Sequence, residues 1–525
     1  MTQDNPLLSP PERVMCFKQL SLFLERYPWL GDLGALLAGG LLVLAFAPFG
    51  LFPVAILSLL MLFLLWKACS PARAFWRGWL FGLGQFGFGV NWLHISLAQF
   101  GGIDLAAAIA LNAAFVMLMA LYPALLGLFI LKVYPVCNKV RLLVALPAAW
   151  TVMEWVRGSL FGGFPWLLVG TSQVDSPLAG WAPMMGVYAL SWAVAFSACL
   201  ILYSVMVRHR AWKPLLGFIL LWGFGALLTL VNWGNPEGKP LNVALVQGNT
   251  PQEIKFMHQY AEPIIKNYLE LSRQHRDADL IIWPETAIPL FFHQAMPFIQ
   301  EIIQEHKDHK TDFLIGMPMQ DPDDNQIYNA VAMINAEKPG FYYKRHLVPF
   351  GEYMPLRSLI EESLDFIQIP FSDFSEGPKK QSLLSTQRHY IGISICYEDA
   401  FPAEIRRALP GANFLVNVSN DAWFGDSLAP HQHLQIARMR ALEAGRPLLR
   451  ATNTGITAII DAHGKVVTQM PQFQQGVIRA RIQPRSGATP YALEGNIPLL
   501  FIMIVFLGIG IILHYFWHPV HSTPC

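Results

Sequence analysis

Three runs in the second half of the chain carry side chains that could perform nucleophilic catalysis. Cys396 follows the apolar run Tyr390–Ile395, and its thiol would be held rigidly at the end of a buried strand. A thiol attacks only after it loses its proton, and it therefore needs a base or a nearby cation. Two further runs could supply these groups, one ending at Glu285 and the other holding Lys344 and Glu352. The residue types indicate covalent chemistry at Cys396.

The cysteine count leaves a second interpretation of this residue open. The chain has six cysteines, and only Cys396 lies between residues 234 and 490. Without a disulfide partner in that stretch, the thiol is either reactive or buried and inert. The accompanying Glu285 and Lys344 runs favour a reactive thiol, because they complete a set of groups that could activate it.

Strands and helices alternate around these runs. Short runs rich in β-branched residues predict buried strands at Leu241–Val246, Leu280–Trp283, Phe313–Gly316, Tyr390–Ile395, Phe414–Val418 and Thr457–Ile460. Amphipathic stretches predict helices at 258–275, 294–307 and 430–443. This mixture predicts a layered α/β domain over residues 234–490, with a strand order that the sequence leaves open.

The rest of the chain is too apolar for a typical water-soluble protein. Only 14% of the 525 residues are charged, against about 25% in soluble domains. A spanning helix needs about 20 mostly apolar residues. Eight stretches predict an α-helical membrane bundle, with a re-entrant pair as the alternative for the first two: 32–49, 51–66, 76–97, 104–131, 142–160, 179–207, 213–232 and 497–517. The net charge of +1 argues against a nucleic-acid partner.

The positions of lysine and arginine predict the orientation of this bundle, because cytoplasmic loops are enriched in both. Every second loop is basic, and the basic loops hold Lys67, Arg73, Arg77, Lys132, Lys139, Arg141, Arg208, Arg210 and Lys213. We therefore expect a cytoplasmic segment over 1–31, seven transmembrane helices over 32–233, and a catalytic domain outside the cytoplasm over 234–490. A final transmembrane helix and a cytoplasmic tail are expected over 491–525.

The motifs around Cys396 resemble those of the nitrilase, or carbon–nitrogen hydrolase, superfamily. Its Glu, Lys and Cys runs occur in that order within 241–485. Four further runs also match, namely HLVPFGEY (346–353), NVSNDAWFG (417–425), RALEAGRPLLRATNTG (440–455) and TPYALEGNIP (489–498). With its apolar helices, the whole chain resembles the family of apolipoprotein acyltransferases, which build this domain into an eight-helix membrane bundle. The resemblance implies an α–β–β–α sandwich for the soluble domain.

The resemblance also implies roles for individual residues. Glu285 is expected to act as general base, Lys344 to stabilise the tetrahedral intermediate, and Cys396 to be the nucleophile. The supporting groups it implies are Glu352, Glu398 and the backbone N–H of Tyr397, with Trp423 and Phe424 as candidates for the border of the substrate site. One departure from the family is Phe256, where a tryptophan is usual, and it removes an indole N–H from that position.

The reaction implied by the resemblance is ping-pong. A phospholipid donates an acyl chain to the cysteine, and the α-amine of diacylglyceryl-cysteine at the N-terminus of an apolipoprotein then takes the chain from the thioester. An amine resolves a thioester without a metal or another cofactor, and none is expected. The implied location is the inner membrane, with a periplasmic catalytic domain, both termini in the cytoplasm, and a monomeric enzyme.

Two other functions remain compatible with the residues. A membrane-tethered amidase or nitrilase would use the same three side chains, with water in place of the amine. A receptor or scaffold is disfavoured, because it would not require all three. A metal site at His431 and His433 is also disfavoured against surface or packing roles, since the sequence brings no third ligand near them.

Several further features allow two interpretations. Glu154 and Arg157 lie one helical turn apart in an apolar stretch, which favours a structural ion pair over a functional site. The apolar segments Leu290–Phe298 and Phe366–Phe371 could be core or a lid that dips into a membrane. The glycine-rich run 81–92 favours close helix packing over a lipid-binding groove.

Overall fold

The computed structural model describes residues 22–67, 69–207, 210–306, 308, 311–322, 325–335, 339–353 and 373–516. Three of the sequence predictions lie outside these residues: most of the N-terminal segment and the C-terminal tail, the basic residue Arg208, and the apolar segment Phe366–Phe371.

Helices form in each of the apolar stretches. The first eight are α1 (Pro28–Leu42), α2 (Pro53–Leu65), α3 (Pro71–Gly89), α4 (Leu105–Met119), α5 (Leu121–Val133), α6 (Leu146–Arg157), α7 (Val187–Met206) and α8 (Trp212–Leu228). Short helical turns lie between them at Val43–Ala45, Leu93–Ile95, Ser96–Phe100, Arg141–Ala145, Leu160–Gly162, Val169–Gln173, Pro177–Trp181 and Ala182–Met185. The predicted stretch 179–207 is therefore shorter as a regular helix, because Gly186 adopts a φ of 75° just before α7.

Three helical stretches in the described part of the chain are long and apolar enough to cross a membrane. They are Pro28–Ala45, Leu105–Val133 and Val187–Met206. Three shorter apolar helices lie at Pro53–Leu65, Trp212–Leu228 and Ile497–Leu513. Length and composition thus bear out an apolar helical part with three candidate membrane helices.

Glycines let α1 and α3 approach closely. A Cβ on Gly39 would lie 1.9 Å from the carbonyl oxygen of Phe81, and a Cβ on Gly84 would lie 2.1 Å from that of Leu36. Neither distance is possible for real atoms, and any larger residue would push the helices apart. The glycine-rich run therefore serves close helix packing along these two helices.

Between α8 and the last helix lies an α/β domain. Its strands are β1 (Asn235–Pro236), β2 (Leu241–Gln247), β3 (Leu280–Trp283), β4 (Asp312–Gln320), β5 (Ile327–Ile334), β6 (Gly340–Tyr343), β7 (Leu384–Ser385), β8 (Tyr390–Ile395), β9 (Phe414–Ser419), β10 (Leu448–Thr452), β11 (Thr457–Ile460), β12 (Val466–Met470), β13 (Gly476–Ile482) and β14 (Arg485–Ser486). Its long helices are α9 (His258–Arg273), α10 (Phe292–His306) and α11 (Ala429–Ala444), and α12 (Ile497–Phe516) follows it. Short helical turns lie at Gln252–Lys255, Cys396–Ala400, Pro402–Arg406, Asp421–Phe424 and Pro490–Glu494.

Two six-stranded sheets pack face to face. The first has the order β13-β2-β3-β4-β5-β6, and the second has the order β12-β11-β10-β9-β8-β7. Apolar side chains from both sheets, such as Leu245 and Ile282 from the first and Ile393 and Val416 from the second, form one core between them. Helices α9 and α10 cover the outer face of the first sheet, and α11 covers that of the second. The domain is an α–β–β–α sandwich, which confirms the expected fold.

The segment after β3 belongs to the core of this domain. Leu290, Phe292, Met296 and Phe298 are partly buried and pack against the cluster between the first sheet and its helices. The ring of Phe292 meets that of Phe341 edge-on at a centroid distance of 5.0 Å. Of the two interpretations of Leu290–Phe298, the structure therefore supports core packing.

Candidate active site

Glu285, Lys344 and Cys396 come from three strand ends that meet at one edge of the sandwich. Glu285 lies two residues after β3, Lys344 directly after β6, and Cys396 directly after β8 in the opposite sheet. All three side chains are buried. The charges of Glu285 and Lys344 both act on the thiol, and the structure thus brings together the three residues singled out in the sequence.

Lys344 is held by two carboxylates. Its Nζ donates to Glu352 Oε1 at 2.9 Å and lies 3.6 Å from Glu285 Oε1. Burial lowers the pKa of Lys344, but the charges of Glu352 and Glu285 outweigh it, and the pKa is raised above its usual value. The side chain is therefore a permanent cation at the centre of the site.

Asn329, on β5, joins the two carboxylates. Its Nδ2 donates to Glu285 Oε1 at 2.7 Å and to Glu352 Oε1 at 2.8 Å. The backbone N–H of Lys344 in turn donates to the Asn329 carbonyl oxygen at 2.8 Å. One amide thus fixes the separation of two like charges and aligns both with the lysine. No local sequence pattern predicts Asn329 as a site residue, because the pairing of β5 with β6 brings it into the site.

Cys396 occupies a strained backbone position. Its φ is 51°, in the left-handed region that L-residues rarely adopt, and this geometry turns the chain sharply at the end of β8. Burial raises the pKa of the thiol, Glu285 raises it further, and Lys344 lowers it, with a net rise above the usual value. The resting group is a protonated thiol, and a base must remove its proton as it attacks.

Glu398 ties the turn after β8 to the turn after β6. Its carboxylate accepts hydrogen bonds from the backbone N–H groups of Ile395 at 2.7 Å, Arg345 at 2.7 Å and His346 at 3.2 Å. Burial raises the pKa of Glu398 to about 6, although these bonds lower it. Glu398 therefore fixes the position of the lysine-bearing turn relative to the cysteine-bearing turn.

A buried network of charges lies behind Cys396. His433, on α11, places Nε2 at 2.9 Å from Asp399 Oδ1 and 3.2 Å from the Cys396 carbonyl oxygen, and Nδ1 at 3.0 Å from Asp421 Oδ1. Arg450 reaches both aspartates, at 3.4 Å and 2.8 Å. Burial and Arg450 lower the pKa of His433, but the two aspartates raise it to about 9. Two cations and two anions thus form a cluster without net charge, and this cluster holds the turn that begins at Cys396 in place.

This network gives His433 a packing role behind Cys396. Among the described residues, no group of three or more His, Cys, Asp or Glu side chains is arranged to hold a metal ion. The sequence could not reveal the network itself, because its members come from four separate segments of the chain.

A second buried lysine lies beside Glu285. Lys255 is 1% exposed, and its Nζ donates to the backbone carbonyl oxygen of Glu285 at 3.0 Å. Burial lowers its pKa to about 8, although Glu285 and Cys396 raise it. The sequence does not predict Lys255 as a site residue, because a lysine in a short polar run usually lies on the surface.

The turn that begins at Cys396 packs directly on the apolar helical part. The ring of Tyr397 stacks on Trp166 at a centroid distance of 6.3 Å, and its hydroxyl donates to the Gly163 carbonyl oxygen at 3.4 Å. Next to His433, Gln432 accepts from Trp166 Nε1 at 2.6 Å and donates to the Gly89 carbonyl oxygen at 3.0 Å. The site is thus continuous with the loop between α6 and α7.

Glu154 and Arg157 hold that loop in place. Glu154 Oε1 accepts from the Val169 N–H at 3.0 Å, and Arg157 Nη1 donates to the carbonyl oxygens of Phe164 and Trp166, each at 2.7 Å. The prediction of an ion pair between Glu154 and Arg157 is therefore wrong, because both side chains bind backbone groups of the loop instead. Burial favours this arrangement, since it satisfies polar backbone groups that water cannot reach.

Trp423 and Phe424 face the helical part beside the site. The Trp423 carbonyl oxygen accepts from the Ser96 hydroxyl at 2.6 Å, and its ring meets Phe100 edge-on at 5.2 Å. The ring of Phe424 meets Trp92 edge-on at 4.7 Å. Both lie in the turn that begins at the network residue Asp421, and they link this turn to the segment after α3.

Two stacked sheets between helices, with Glu, Lys and Cys at their strand ends, define a carbon–nitrogen hydrolase domain, here joined to apolar helices. The family model described as "Carbon-nitrogen hydrolase" matches residues 242–491, and that described as "Apolipoprotein N-acyltransferase N-terminal domain" matches residues 38–200. The relative named apolipoprotein N-acyltransferase in Methylococcus capsulatus is 46% identical over 90% of this chain and 94% of its own length. The chain belongs to the apolipoprotein N-acyltransferase family.

A second curated relative agrees with this assignment. The protein of the same name in Nitrosomonas europaea is 43% identical over 90% of this chain and 94% of its own length. Among solved structures, Nit3 of Saccharomyces cerevisiae, a member of the nitrilase superfamily, aligns with 47% of this chain and 91% of its own, at 19% identity and a TM-score of 0.35.

Proposed function

We propose that the protein transfers an acyl chain from a membrane phospholipid, through a thioester on Cys396, to the α-amine of diacylglyceryl-cysteine apolipoproteins. The observation that carries this proposal is the contact of the nucleophile's own turn with the apolar helices, through Tyr397 and Trp166. A hydrolase of soluble amides, the alternative that shares the three side chains, gains nothing from that contact. A lipid donor and a lipid-anchored acceptor both require it.

In the proposed first half-reaction, Glu285 takes the thiol proton as Cys396 attacks the ester carbonyl of the phospholipid. Lys344 and the backbone N–H of Tyr397 stabilise the oxyanion of the tetrahedral intermediate. The intermediate collapses to the thioester, and Glu285 returns the proton to the departing oxygen of the lysophospholipid. Through their hydrogen bonds, Glu352 holds Lys344 in place and Glu398 holds the turns after β6 and β8 together.

In the second half-reaction, the free α-amine of the acceptor attacks the thioester carbonyl. Glu285 takes a proton from the nitrogen as the C–N bond forms, and it passes that proton to the cysteine sulfur as the C–S bond breaks. The products are the amide and the regenerated thiol. Trp423 and Phe424 are proposed to border the acyl chains, since both face the helical part beside the site.

The proposed arrangement in the membrane has eight spanning helices. The three candidate membrane helices, the shorter apolar helices and the pattern of basic loops support it. We propose segments at 1–31, 32–233, 234–490 and 491–525, with the catalytic domain in the periplasm of an inner membrane and both termini in the cytoplasm. We further propose that the enzyme acts as a monomer.

Intact-mass spectrometry of the purified full chain tests the reaction. After incubation with one defined phospholipid, the mass should rise by one acyl chain in the wild type and remain constant in Cys396→Ala. Addition of a diacylglyceryl lipopeptide should remove that mass and acylate the peptide, whereas water alone should leave the thioester intact. Rapid loss in water would favour the hydrolase, and absence of any adduct would overturn the lipid-donor mechanism.

A further inference from the structure

The site contains two buried lysines in different environments. Lys344 faces two carboxylates, at 2.8 Å and 3.6 Å. Lys255 lies in the turn Gln252–Lys255 after β2, and the hydrogen bond that the described residues provide for its Nζ goes to a backbone carbonyl oxygen, that of Glu285. A buried lysine is normally paired with an acid, because burial of an unpaired ammonium is costly. Lys255 therefore loses its proton more readily than Lys344.

The charges around Lys255 are consistent with this difference. The titratable groups that face it are Glu285, from the end of β3, and Cys396, from the end of β8. Both raise its pKa, but burial outweighs them, and the pKa is lowered to about 8. At neutral pH roughly a tenth of the molecules then carry a neutral Lys255 amine next to the reacting groups.

The proposed second half-reaction requires an acceptor for a proton. A terminal α-amine has a pKa of about 8 and is mostly an ammonium at pH 7, which cannot attack a carbonyl. Conversion of an ammonium and a thioester into an amide and a thiol releases one proton overall. Glu285 is occupied with the other proton, which passes from the attacking nitrogen to the leaving sulfur. The first proton of the ammonium therefore needs a separate acceptor.

We propose that the Lys255 amine accepts this first proton from the acceptor's α-ammonium, a role that rests on the proposed function. The transfer converts the α-ammonium and the neutral lysine amine into a free α-amine and a lysine ammonium, with no other bond changed. The free amine then attacks the thioester, and Lys255 releases its proton to water after the amide leaves. Its position against the backbone of Glu285 places it beside the base that completes the step.

Replacement of Lys255 by arginine distinguishes a role in proton transfer from a purely structural role. Lys255→Arg keeps a cation that can donate to the Glu285 carbonyl oxygen, but a guanidinium cannot accept a proton at neutral pH. Lys255→Met removes both properties. Lys266→Arg is the matched control, because Lys266 is exposed on α9 and pairs with Glu262.

The measurement is the single-turnover rate of two steps, followed by intact mass from pH 6 to pH 10: thioester formation from a defined phospholipid, and discharge of that thioester by a diacylglyceryl lipopeptide. We expect Lys255→Arg to slow discharge at pH 7 by roughly 10-fold, far more than it slows thioester formation, because only about a tenth of an α-amine with a pKa of about 8 is free at that pH. The two discharge rates should converge above pH 9, where the α-amine is already free. Lys266→Arg should follow the wild type throughout.

The possible outcomes distinguish proton transfer by Lys255 from its other possible roles. Discharge by Lys255→Arg at the wild-type rate at pH 7, with Lys255→Met impaired in both steps, would make Lys255 a purely structural donor and overturn the proposal. A loss of thioester formation in Lys255→Arg as large as the loss of discharge would also overturn it, by assigning the lysine to the first half-reaction. Absence of a thioester in the wild type would instead refute the proposed function itself.

Discussion

His433 should make the stability of the catalytic domain fall as the pH rises. Its folded-state pKa, about 9, lies above the usual 6.5 because two aspartates outweigh burial and Arg450. A group with a raised folded pKa contributes stability that is fully present below its unfolded pKa and is lost as the pH rises through its folded value. For His433 the loss therefore falls between about pH 6.5 and pH 9.

The expected magnitude follows from the size of this shift. One pKa unit corresponds to about 1.4 kcal/mol, and the shift of His433 to about 9 is then worth about 3 kcal/mol of unfolding free energy. In a domain of this size, about 1 kcal/mol moves the unfolding temperature by roughly 2–4 °C. At pH 6, His433→Gln should thus lower the apparent unfolding temperature by roughly 6–12 °C. By pH 10, the difference in unfolding temperature between this variant and the wild type should be smaller.

Thermal unfolding of the detergent-solubilised full chain at half-unit pH steps measures this gap. Other groups that titrate in the range, Lys255 among them, are present in both proteins and cancel in the difference. His431→Gln is the matched control, because His431 lies on the same helix but burial lowers its pKa. If the wild-type and His433→Gln curves run parallel from pH 6 to pH 10, the imidazole does not carry the charge that the two aspartates require, and the reasoning fails.

Two further variants test contacts described above. Asn329→Ala removes two charge-assisted hydrogen bonds, each worth about 1.5–3 kcal/mol, and thioester formation should slow by roughly 10²–10⁴-fold. Tyr328→Phe on the same strand is the control and should keep near wild-type rates; equal rates for both variants would contradict a positioning role. Gln432→Leu leaves the Trp166 N–H without its acceptor, and the apparent unfolding temperature should fall by an amount that reflects about 1–3 kcal/mol; an unchanged value would show that this contact between domain and helices is dispensable.

The best-predicted elements are mostly apolar strands that are buried along almost their whole length. The bounds predicted for β3, β8 and β11 are the observed ones, because a strand buried on both faces is a continuous apolar run with clear ends. Strands β12 and β13 gave no such signal. In Val466–Met470 half-buried and exposed positions alternate, and in Gly476–Ile482 arginines stand between apolar residues.

The sequence predicted the residues of the site that could react, but it did not predict the residues that position them. Cys396, Glu285 and Lys344 are reactive residue types at the ends of apolar runs, and their pattern can be read along the chain. Asn329 and Lys255 are ordinary polar residues in sequence, and only the pairing of strands and the burial of a short turn bring them into the site. Contacts between segments far apart in the chain leave no local signal.

The pairing of the first long strand with the last has a consequence for how the protein is made. Leu241 pairs with Ile482 across β2 and β13, so the first sheet gains this edge only after almost the whole domain has been synthesised. Until then β2 has an unpaired edge, which in any protein invites aggregation. Helix α12 begins at Ile497, shortly after β13 ends at Ile482. The first sheet can therefore close only at about the time when α12 is being synthesised.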